Sequence, residues 1–362
     1  MLKAMIVDDS ALYRKCVAEV LNSDPSIDVV GTAINGKMAL KKISCLRPDV
    51  ITLDMEMPEM GGLETLRQLK AEHPFIKSIV FSAHTEKGAE MTLKALKLGA
   101  VDFVTKPSNG KSIEMSLKRM HDELLPIVQV FAEKKRKAAK GGTSSIAGMR
   151  ESEKLAIPET CPLPRPCDVI VIGVSTGGPA NLARFCSMLP ADLPQAILIV
   201  QHMPPIFTTK LAAQLDMIAN VPVKEARNNE PLLGGKVYLA PGDFHMEVAD
   251  GTNGKVIILN KNAPERFCRP SVNVLFRAAA RHFGNRAIGV IMTGMGDDGL
   301  LGSRELHAAG CAIFAEDEST CTVFGMPKVI IEDGLACAVA PIDKLWSLIR
   351  SFTFNTRKYN GK

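Results

Sequence analysis

The chain has 362 residues, of which 46% are hydrophobic and 23% are charged, and its formal net charge at pH 7 is +5. This length suits two domains that each have their own core, and the composition is that of a globular protein. No apolar run approaches the length of a membrane span, and Asp8 and Asp9 stand where a signal peptide needs its apolar region, so we expect a cytoplasmic protein without membrane insertion.

Two features of the composition bear on nucleic-acid binding and on the state of the cysteines. Much of the positive charge lies in the run Lys134–Lys137 with Lys140 close behind. Without a basic aromatic face or a helix-turn-helix pattern, this run predicts a solvated linker and no nucleic-acid binding. The nine cysteines are scattered singly without a C-x-x-C pair, a pattern typical of reduced thiols rather than of a disulfide framework or a zinc site.

From Lys3 to about Val130, short apolar strands alternate with amphipathic helices. The predicted strands are Ala4–Val7, Val29–Gly31, Val50–Leu53, Ser78–Phe81 and Ala100–Val104. The predicted helices are Ser10–Leu21, Gly36–Leu46, Gly62–Ala71 and Lys87–Leu98, with a fifth from Ile113. This alternation predicts an α/β fold in which helices cover both faces of a parallel sheet.

Residues just past the carboxyl ends of parallel strands converge on one crevice. In the first half these residues are Asp8, Asp9, Asp54, Ser82 and Lys106, the last before Pro107. Three crowded carboxylates repel one another unless a cation lies among them, and hard oxygen ligands suit Mg²⁺. Capping of the following helix would explain a single acid in each loop. It does not explain why all these acids, Ser82 and Lys106 follow strands of the same sheet.

The stretches DDS, DVITLDMEMPEMGGLETLR, FSAH and VDFVTKPS resemble the receiver domain of response regulators along its whole length. The resemblance implies that Asp54 is the phosphoacceptor. The Mg²⁺ ligands that it implies are Asp9, Asp54 and the carbonyl of Glu56, with Asp8 assisting. The phosphate contacts and the aromatic switch position that it implies are Ser82, Lys106 and Phe103.

After the first half the composition changes to Lys, Gly, Ser, Glu and Pro without periodicity. This change predicts a first domain at residues 1–131, a flexible linker at 132–166 and a second domain at 167–355. The strands predicted in the second domain are Val169–Val174, Ala196–Val200, Lys236–Ala240, Val256–Leu259, Ala287–Met292 and Ala312–Phe314. We therefore expect a second doubly wound parallel sheet.

Ser175 lies in a Gly-rich turn, within VIVIGVSTGGPANL, directly after a predicted buried strand. Such a turn presents either a serine nucleophile or a loop that closes around a phosphate. The dinucleotide pattern G-x-G-x-x-G is absent, because Ser175 stands where its second Gly belongs, and no P-loop Lys follows Gly178. The sequence therefore favours a nucleophile, which needs a base and a group that orients the base.

His202 is the histidine best placed to act as the base. It follows a buried strand in LIVQHMPP and so emerges at the same sheet edge as Ser175. His282 and His307 fall in helical patterns and are expected on helix surfaces, the first in a helix capped by Ser271. His245 lies in the turn-to-strand segment PGDFHMEV and is a candidate substrate contact.

Asp297 and Asp298 follow a third buried strand, in AIGVIMTGMGDDG. Alone they suit N-capping of the next helix, but Ser, His and Asp at three strand ends favour a catalytic triad. The choice between the two acids stays open here. Pairing Asp298 with His307 would restore the order Ser–Asp–His that is usual for α/β-hydrolases, although geometry rather than order defines a triad.

The second half also resembles a known family through GVSTGGP, QHMPP, APGDFHM, RPSVNVLFRAAA, MTGMGDDG and VFGMPK. These motifs resemble the catalytic domain of CheB-type chemotaxis methylesterases. The triad that the resemblance implies is Ser175, His202 and Asp298. The oxyanion hole that it implies uses the N–H of Met295, with a contribution near Thr176.

This resemblance implies a hydrolase that demethylates glutamate γ-methyl esters on chemoreceptors and deamidates receptor glutamines, under control of the receiver. We expect no metal or other cofactor in the hydrolase, because its sequence has neither an H-E-x-x-H pair nor a Cys/His cluster. The alternative is a phosphorylation-switched binding protein whose degenerate esterase domain only docks on a partner. The intact Ser, His and Asp argue against that alternative.

Overall fold

The computed structural model of the chain describes residues 1–106, 113–139, 161 and 166–354. The chain divides into two compact units, Met1–Arg150 and Glu151–Lys362. Among the described residues, no helix is both long enough and apolar enough to cross a membrane.

The first unit contains a five-stranded parallel sheet in the order β2-β1-β3-β4-β5. Its strands are β1 Leu2–Val7, β2 Ile27–Ala33, β3 Val50–Asp54, β4 Lys77–Ser82 and β5 Asp102–Thr105. Its helices are α1 Ala11–Asn22, α2 Gly36–Leu46, α3 Gly62–Glu72, α4 Glu86–Leu98 and α5 Ile113–Ala139. The doubly wound sheet predicted from the alternating pattern is confirmed in this unit.

The helix α5 runs past the predicted start of the linker, since residues 132–139 are helical. Phe131 and Ala132 are buried, so packing of the helix continues into the segment that looked aperiodic. Lys and Ala are also good helix formers, and Lys135 Nζ pairs with Asp49 at 2.6 Å. Residues 140–160 and 162–165 of the predicted linker, together with Pro107 and residue 355, lie outside the described residues.

The second unit contains a seven-stranded parallel sheet in the order β14-β13-β12-β6-β7-β9-β8. These strands are β6 Val169–Val174, β7 Ala196–Gln201, β8 Val223–Glu225, β9 Val237–Leu239, β12 Ala287–Ile291, β13 Ala312–Glu316 and β14 Ala338–Ala340. The helices are α6 Gly178–Ser187, α7 Phe207–Asp216, α8 Val272–Phe283, α9 Leu300–Ala308, α10 Met326–Glu332 and α11 Ile342–Phe354. The second predicted doubly wound sheet is therefore also confirmed.

One predicted strand lies outside this sheet. Val256–Leu259 belongs to β11 Gly254–Asn260, which pairs antiparallel with β10 His245–Gly251 as a separate hairpin. Met246 and Val248 on β10 and Ile257 on β11 are buried, whereas the other residues from Glu247 onward are more exposed, as expected for a hairpin with only one face packed on the core.

The three strands at the centre of the second sheet set the position of the site. β6, β7 and β12 are buried along their whole length, because helices cover both faces of a parallel sheet. The chain enters the sheet at β6, continues to β7 on one side and later to β12 on the other. The order of the strands reverses beside β6, and the carboxyl edge at such a reversal is the usual place of a ligand site in open α/β sheets.

The expectation that the cysteines are reduced is wrong for one pair. Cys161 and Cys337 form a disulfide with Cα atoms 5.0 Å apart. The remaining seven cysteines are free. The bonded pair is separated by 176 residues, and spacing alone carries no signal for a pairing that depends on the folded Cα–Cα distance.

Candidate active site

The ends of β6, β7 and β12 bring the predicted triad segments to one sheet edge. The register pairs Val174 with Gln201, so Ser175 and His202 are the next residues on neighbouring parallel strands. The amide of Ser175 donates to the carbonyl of Thr293 at 3.0 Å, which joins the loop after β12 to the same edge.

Two glycines make the sharp turn at Ser175 possible. Gly177 has a φ of 78°, in the left-handed region that favours glycine. A Cβ at Gly178 would lie 1.9 Å from Oε1 of Gln201, so no larger residue fits there without movement. The carbonyl of Ser175 accepts hydrogen bonds from the Gly178 amide at 2.7 Å and from Gln201 Nε2 at 3.1 Å.

The His202 ring is held by Asp298. Its Nε2 lies 2.8 Å from Asp298 Oδ2, and its Nδ1 lies 3.6 Å from the Sγ of Cys268. Burial lowers the pKa of His202, but the Asp298 hydrogen bond and the Cys268 contact outweigh burial and raise the pKa above its ordinary value. Asp298 engages Nε2, so Nδ1, beside the Cys268 thiol, is the ring nitrogen that remains open to a further partner. Among the hydrogen bonds of the described residues, none joins Ser175 Oγ to this ring.

Asp298 is buried at the amino end of α8. Besides His202, its carboxylate accepts hydrogen bonds at 2.7–3.1 Å from four donors, the Ser271 hydroxyl and the amides of Val272, Asn273 and Gly299. Burial alone would raise the pKa of Asp298, but the His202 bond and the helix amides hold it below its ordinary value. These contacts keep the carboxylate ionised and fixed in orientation.

The structure corrects the expected helix cap at Ser271. Ser271 is the N-cap residue of α8, but its side chain makes no capping hydrogen bond. Its hydroxyl donates to Asp298 at 2.8 Å, and the Asp298 carboxylate accepts from the first amides of α8 instead. A residue distant in sequence therefore caps this helix.

The two adjacent acids have different surroundings. Asp297 is partly exposed and forms an ion pair with Arg266 at 3.1 Å, whereas Asp298 is buried against His202. Neither acid caps the first turn of α9 through its side chain, because the N-cap residue is Gly299 and the amide of Gly302 donates to Oδ1 of Asn273 at 2.8 Å. Of the two acids, the structure brings Asp298 to the histidine.

The other candidate histidines lie away from this arrangement. His245 is buried, its Nε2 contacts the carbonyl of Ala263 at 3.1 Å, and its Nδ1 accepts from the Ser271 amide at 3.3 Å. Both nitrogens are thus engaged by backbone, so His245 supports the segment that carries Ser271 rather than contacting substrate. His282 lies on α8 beside Asp250, and His307 is exposed in the last turn of α9.

The predicted oxyanion-hole residues lie on segments that flank Ser175. Thr176 is buried, and its carbonyl accepts from Thr293 Oγ1 at 2.9 Å. Met295 follows Gly294, where a Cβ would come within 2.8 Å of the Ser175 Cβ. This close approach requires glycine at 294 and brings the backbone around Met295 next to the serine.

Three residues that support the site were missed in the sequence. Gln201 Nε2 donates to the carbonyls of Ser175 and His202, both at 3.1 Å. Glu316 is buried and accepts from the Thr293 amide at 2.8 Å, and its burial raises its pKa. Glu316 could have been found in the sequence, because it is a carboxylate at the end of the buried strand β13. Cys268 could not, because it lies in a loop whose position the sequence does not predict.

His202, Cys268 and Asp298 present ligand atoms within 4.8 Å of one another, and nitrogen, sulfur and oxygen donors suit zinc. However, the Asp298 carboxylate already accepts hydrogen bonds from the four donors above and from His202. A metal ligated by this carboxylate would have to displace several of these donors. We therefore interpret Asp298 as the group that orients His202.

The first unit has an acidic cavity of about 290 Å³ at the carboxyl edge of its sheet, lined by Asp9, Asp54, Ser82 and Lys106 among others. Lys106 Nζ lies 2.7 Å from Asp54 and 3.0 Å from Asp8. Burial raises the pKa of Asp54 although Lys106 opposes the shift. Burial alone would lower the pKa of Lys106, but Asp54 and Asp8 outweigh it and raise that pKa.

The donors in this cavity fit a magnesium ion. Carboxylate oxygens of Asp8, Asp9 and Asp54 lie within 4.8 Å of one another, and hard oxygen ligands with room for water are what Mg²⁺ requires. Glu56 also lines the cavity, while its own carboxylate pairs with Lys87 at 3.3 Å.

The expected phosphate contact Ser82 lies at the end of β4, next to β3, and the expected switch residue Phe103 lies on β5, the strand beyond β4. Ser82 is buried, and its hydroxyl donates to the Gly88 carbonyl at 3.0 Å. A contact with phosphate therefore requires this hydroxyl to reorient. Phe103 is half-buried on β5.

Family models match both units. The response regulator receiver domain matches residues 4–118, and the CheB methylesterase model matches residues 170–349. The protein-glutamate methylesterase/protein-glutamine glutaminase 2 of Koribacter versatilis is 43% identical over 350 residues, which cover 96% of this chain and 95% of that protein. The chain belongs to this enzyme family. Both resemblances inferred from the sequence motifs are confirmed.

A second relative and a solved structure support the same assignment. The protein-glutamate methylesterase/protein-glutamine glutaminase of Pyrococcus horikoshii is 39% identical over 346 residues, 95% of this chain and 91% of that protein. The crystal structure of the Thermotoga maritima CheB methylesterase catalytic domain is 40% identical to this chain with a TM-score of 0.50. It covers 51% of this chain and 98% of that one.

Proposed function

We propose that the chain hydrolyses glutamate γ-methyl esters on chemoreceptors, releases methanol, and also deamidates receptor glutamines during chemotactic adaptation. The observation that carries the proposal is the Asp298–His202 pair at 2.8 Å, on the sheet edge that bears Ser175. Substrates on the cytoplasmic helices of receptors would place the enzyme in the cytoplasm.

In the proposed reaction, Ser175 Oγ attacks the ester carbonyl while Nδ1 of His202 takes its proton. Asp298 holds the ring and stabilises its positive form. The amides of Met295 and Thr176 stabilise the oxyanion as it forms. His202 then gives this proton to the methoxide oxygen as the C–O bond breaks, and methanol leaves. A water that His202 deprotonates attacks the acyl-enzyme, and the serine oxygen leaves with the proton from His202 to release glutamate. A glutamine side chain follows the same path with ammonia as the leaving group.

Mass spectrometry of receptor peptides before and after incubation tests this function. We expect glutamyl methyl esters to become glutamates, and glutamines at the same positions to become glutamates as well. A protein that only docks on its partner would bind the receptor and leave both groups intact. That outcome would contradict the proposed hydrolase.

The pH dependence of ester hydrolysis follows from the surroundings of His202. The base must be neutral to accept a proton, and its pKa is raised by Asp298 and Cys268. We therefore expect kcat/KM for a small ester to increase with pH, with a midpoint above the ordinary histidine value of ~6.5. Cys268→Ala should move the midpoint to lower pH, while the exposed free cysteine variant Cys45→Ala should not. A midpoint that stays in place in Cys268→Ala would contradict the assigned cause.

We also propose that the receiver controls the hydrolase, with residues 1–131 as receiver, 132–166 as linker and 167–355 as catalytic domain. Asp54 would accept the phosphoryl group from a chemotaxis histidine kinase, while Lys106 and Ser82 contact the phosphate. The bound Mg²⁺ would neutralise charge during this transfer, held by Asp9, Asp54 and the Glu56 carbonyl, with Asp8 assisting. Without phosphorylation the chain would be less active on receptors, whether the receiver acts by steric inhibition, by recruitment or by both.

The test uses the full-length chain with a small phosphodonor and Mg²⁺. A coupling of ~1–3 kcal/mol between the domains corresponds to stimulation of several-fold to about a hundredfold. Asp54→Ala should not respond to the phosphodonor, whereas the exposed Asp28→Ala should respond like the wild type. A chelator should remove the stimulation and leave the unstimulated hydrolysis in place, since no metal is proposed in the hydrolase. Stimulation of Asp54→Ala, or loss of unstimulated hydrolysis on chelation, would contradict the account.

A further inference from the structure

A strained turn lies beside the proposed triad. Glu265 and Cys268 pair through two backbone hydrogen bonds, at 3.1 and 2.9 Å, and enclose Arg266 and Phe267. Both enclosed residues have positive φ, 51° and 62°. A two-residue hairpin turn with two positive φ values normally selects Asn-Gly, because side chains such as Arg and Phe are strained in that region. Arg and Phe are therefore held in this turn against their conformational preference.

The side chains of three of the four turn residues contact neighbouring segments of the unit. Glu265 pairs with Arg277 at 3.0 Å, Arg266 pairs with Asp297 at 3.1 Å, and Cys268 Sγ contacts His202 Nδ1 at 3.6 Å. Arg266, before Phe267, contacts Asp297, which adjoins Asp298 in the chain. Cys268, after Phe267, contacts His202. Phe267 thus lies at the rim of the proposed active site.

The ring of Phe267 is fully exposed, with a relative accessibility of 102%. Among the residues that the structure describes, none covers this ring. It therefore contributes nothing to the core, and its backbone conformation is unfavourable for a residue with a side chain. A large apolar ring in a rigid, exposed position is suited to binding, because little conformational entropy remains to be lost when a partner covers it.

We propose that Phe267 is a docking residue that packs against an apolar side chain of the protein substrate next to the glutamyl ester. This inference rests on the proposed function, and it names a contact that selects protein substrates over small esters. A protein bound with its ester at Ser175 must extend past the rim where Phe267 lies. A small ester has no atoms that reach the ring.

The decisive variant is Phe267→Gly, which removes the ring and suits the left-handed backbone. We expect its Tm to be equal to or higher than that of the wild type, so a change in kinetics will not reflect misfolding. We expect KM for a methylated receptor fragment to rise about tenfold, and the ratio of kcat/KM for the receptor to kcat/KM for a small ester to fall by the same factor. Phe267→Leu should recover most of this ratio.

Met217→Ala is the matched control, since Met217 is 79% exposed in the same unit and should leave the ratio unchanged. A ratio in Phe267→Gly equal to that of the wild type would overturn the inference. An equal loss on both substrates would overturn it too, because the turn would then act by positioning His202. Increased activity of the unphosphorylated chain on both substrates would instead assign the ring to contact with the receiver. A wild type that cleaves the small ester but no receptor ester would contradict the proposed function itself, and the inference with it.

Discussion

Ser175→Ala and His202→Ala should each lower ester turnover by ~10⁴–10⁶-fold, because the members of a catalytic triad act as a unit. Ser175→Ala removes the nucleophile. His202→Ala removes the base, although the serine hydroxyl remains. For the same reason, we expect the double variant to be no slower than the slower single variant. Steady-state hydrolysis of a small ester by the full-length chain provides the measurement.

Matched controls exist for both substitutions. Ser187 is exposed at the end of α6 and His282 lies on α8, so Ser187→Ala and His282→Ala change the same residue types in the same unit away from the site. Both should retain activity within about twofold, since exposed substitutions away from such features have small effects. A loss of less than tenfold in Ser175→Ala or His202→Ala would remove that residue from the triad.

The second large effect is expected for Asp298→Asn, with a loss of roughly 10⁴ in kcat, by analogy with the same substitution in a serine protease triad. The asparagine amide would donate to Nε2 of His202, and the ring would then carry its proton on Nδ1. A protonated Nδ1 cannot accept the proton of Ser175. Asp297→Asn should keep nearly full activity, because Asp297 is partly exposed and pairs with Arg266.

The two asparagine variants are matched, since they make the same change at adjacent positions. Circular dichroism should show that both remain folded. We expect a lower Tm for Asp298→Asn than for Asp297→Asn, because the amide nitrogen at the Oδ2 position would face the Val272 N–H, which donates to the carboxylate at 2.7 Å. A crippled Asp297→Asn beside an active Asp298→Asn would show that the wrong acid has been assigned.

Much of the fold could be predicted because the hydrophobic pattern of most segments matches the burial of the strands and helices that they form. The runs that form β6, β7 and β12 are continuous and apolar, which is typical of strands covered by helices on both faces. The strands β8 and β14 were missed. The equally short β9 was predicted because Val237–Leu239 continues into the apolar Ala240, whereas β8 consists of only one apolar residue followed by Lys224 and Glu225. The end of α5 was missed because its last turns are dominated by charged residues.

The candidate site was predictable where strand ends carry its chemistry. Ser175, His202 and Asp298 all follow buried strands, so their convergence could be inferred from the rule for parallel sheets. The supports of Asp298 could not be inferred, because Ser271 and the first amides of α8 reach it only through tertiary packing. Cys268 was missed for the same reason, and the backbone partners of His245 are likewise set by packing rather than by any local pattern.

Covalent labelling by a fluorophosphonate, located by peptide mass spectrometry in the full-length chain, tests the central claim most directly. The reagent reacts with a serine activated by a neighbouring base, so it reports the nucleophile itself. We predict a single label on Ser175, formed much more slowly in His202→Ala and Asp298→Asn than in the wild type. A label on another residue, or no label on Ser175 in a preparation that hydrolyses the ester, would contradict the assignment of Ser175 as the nucleophile.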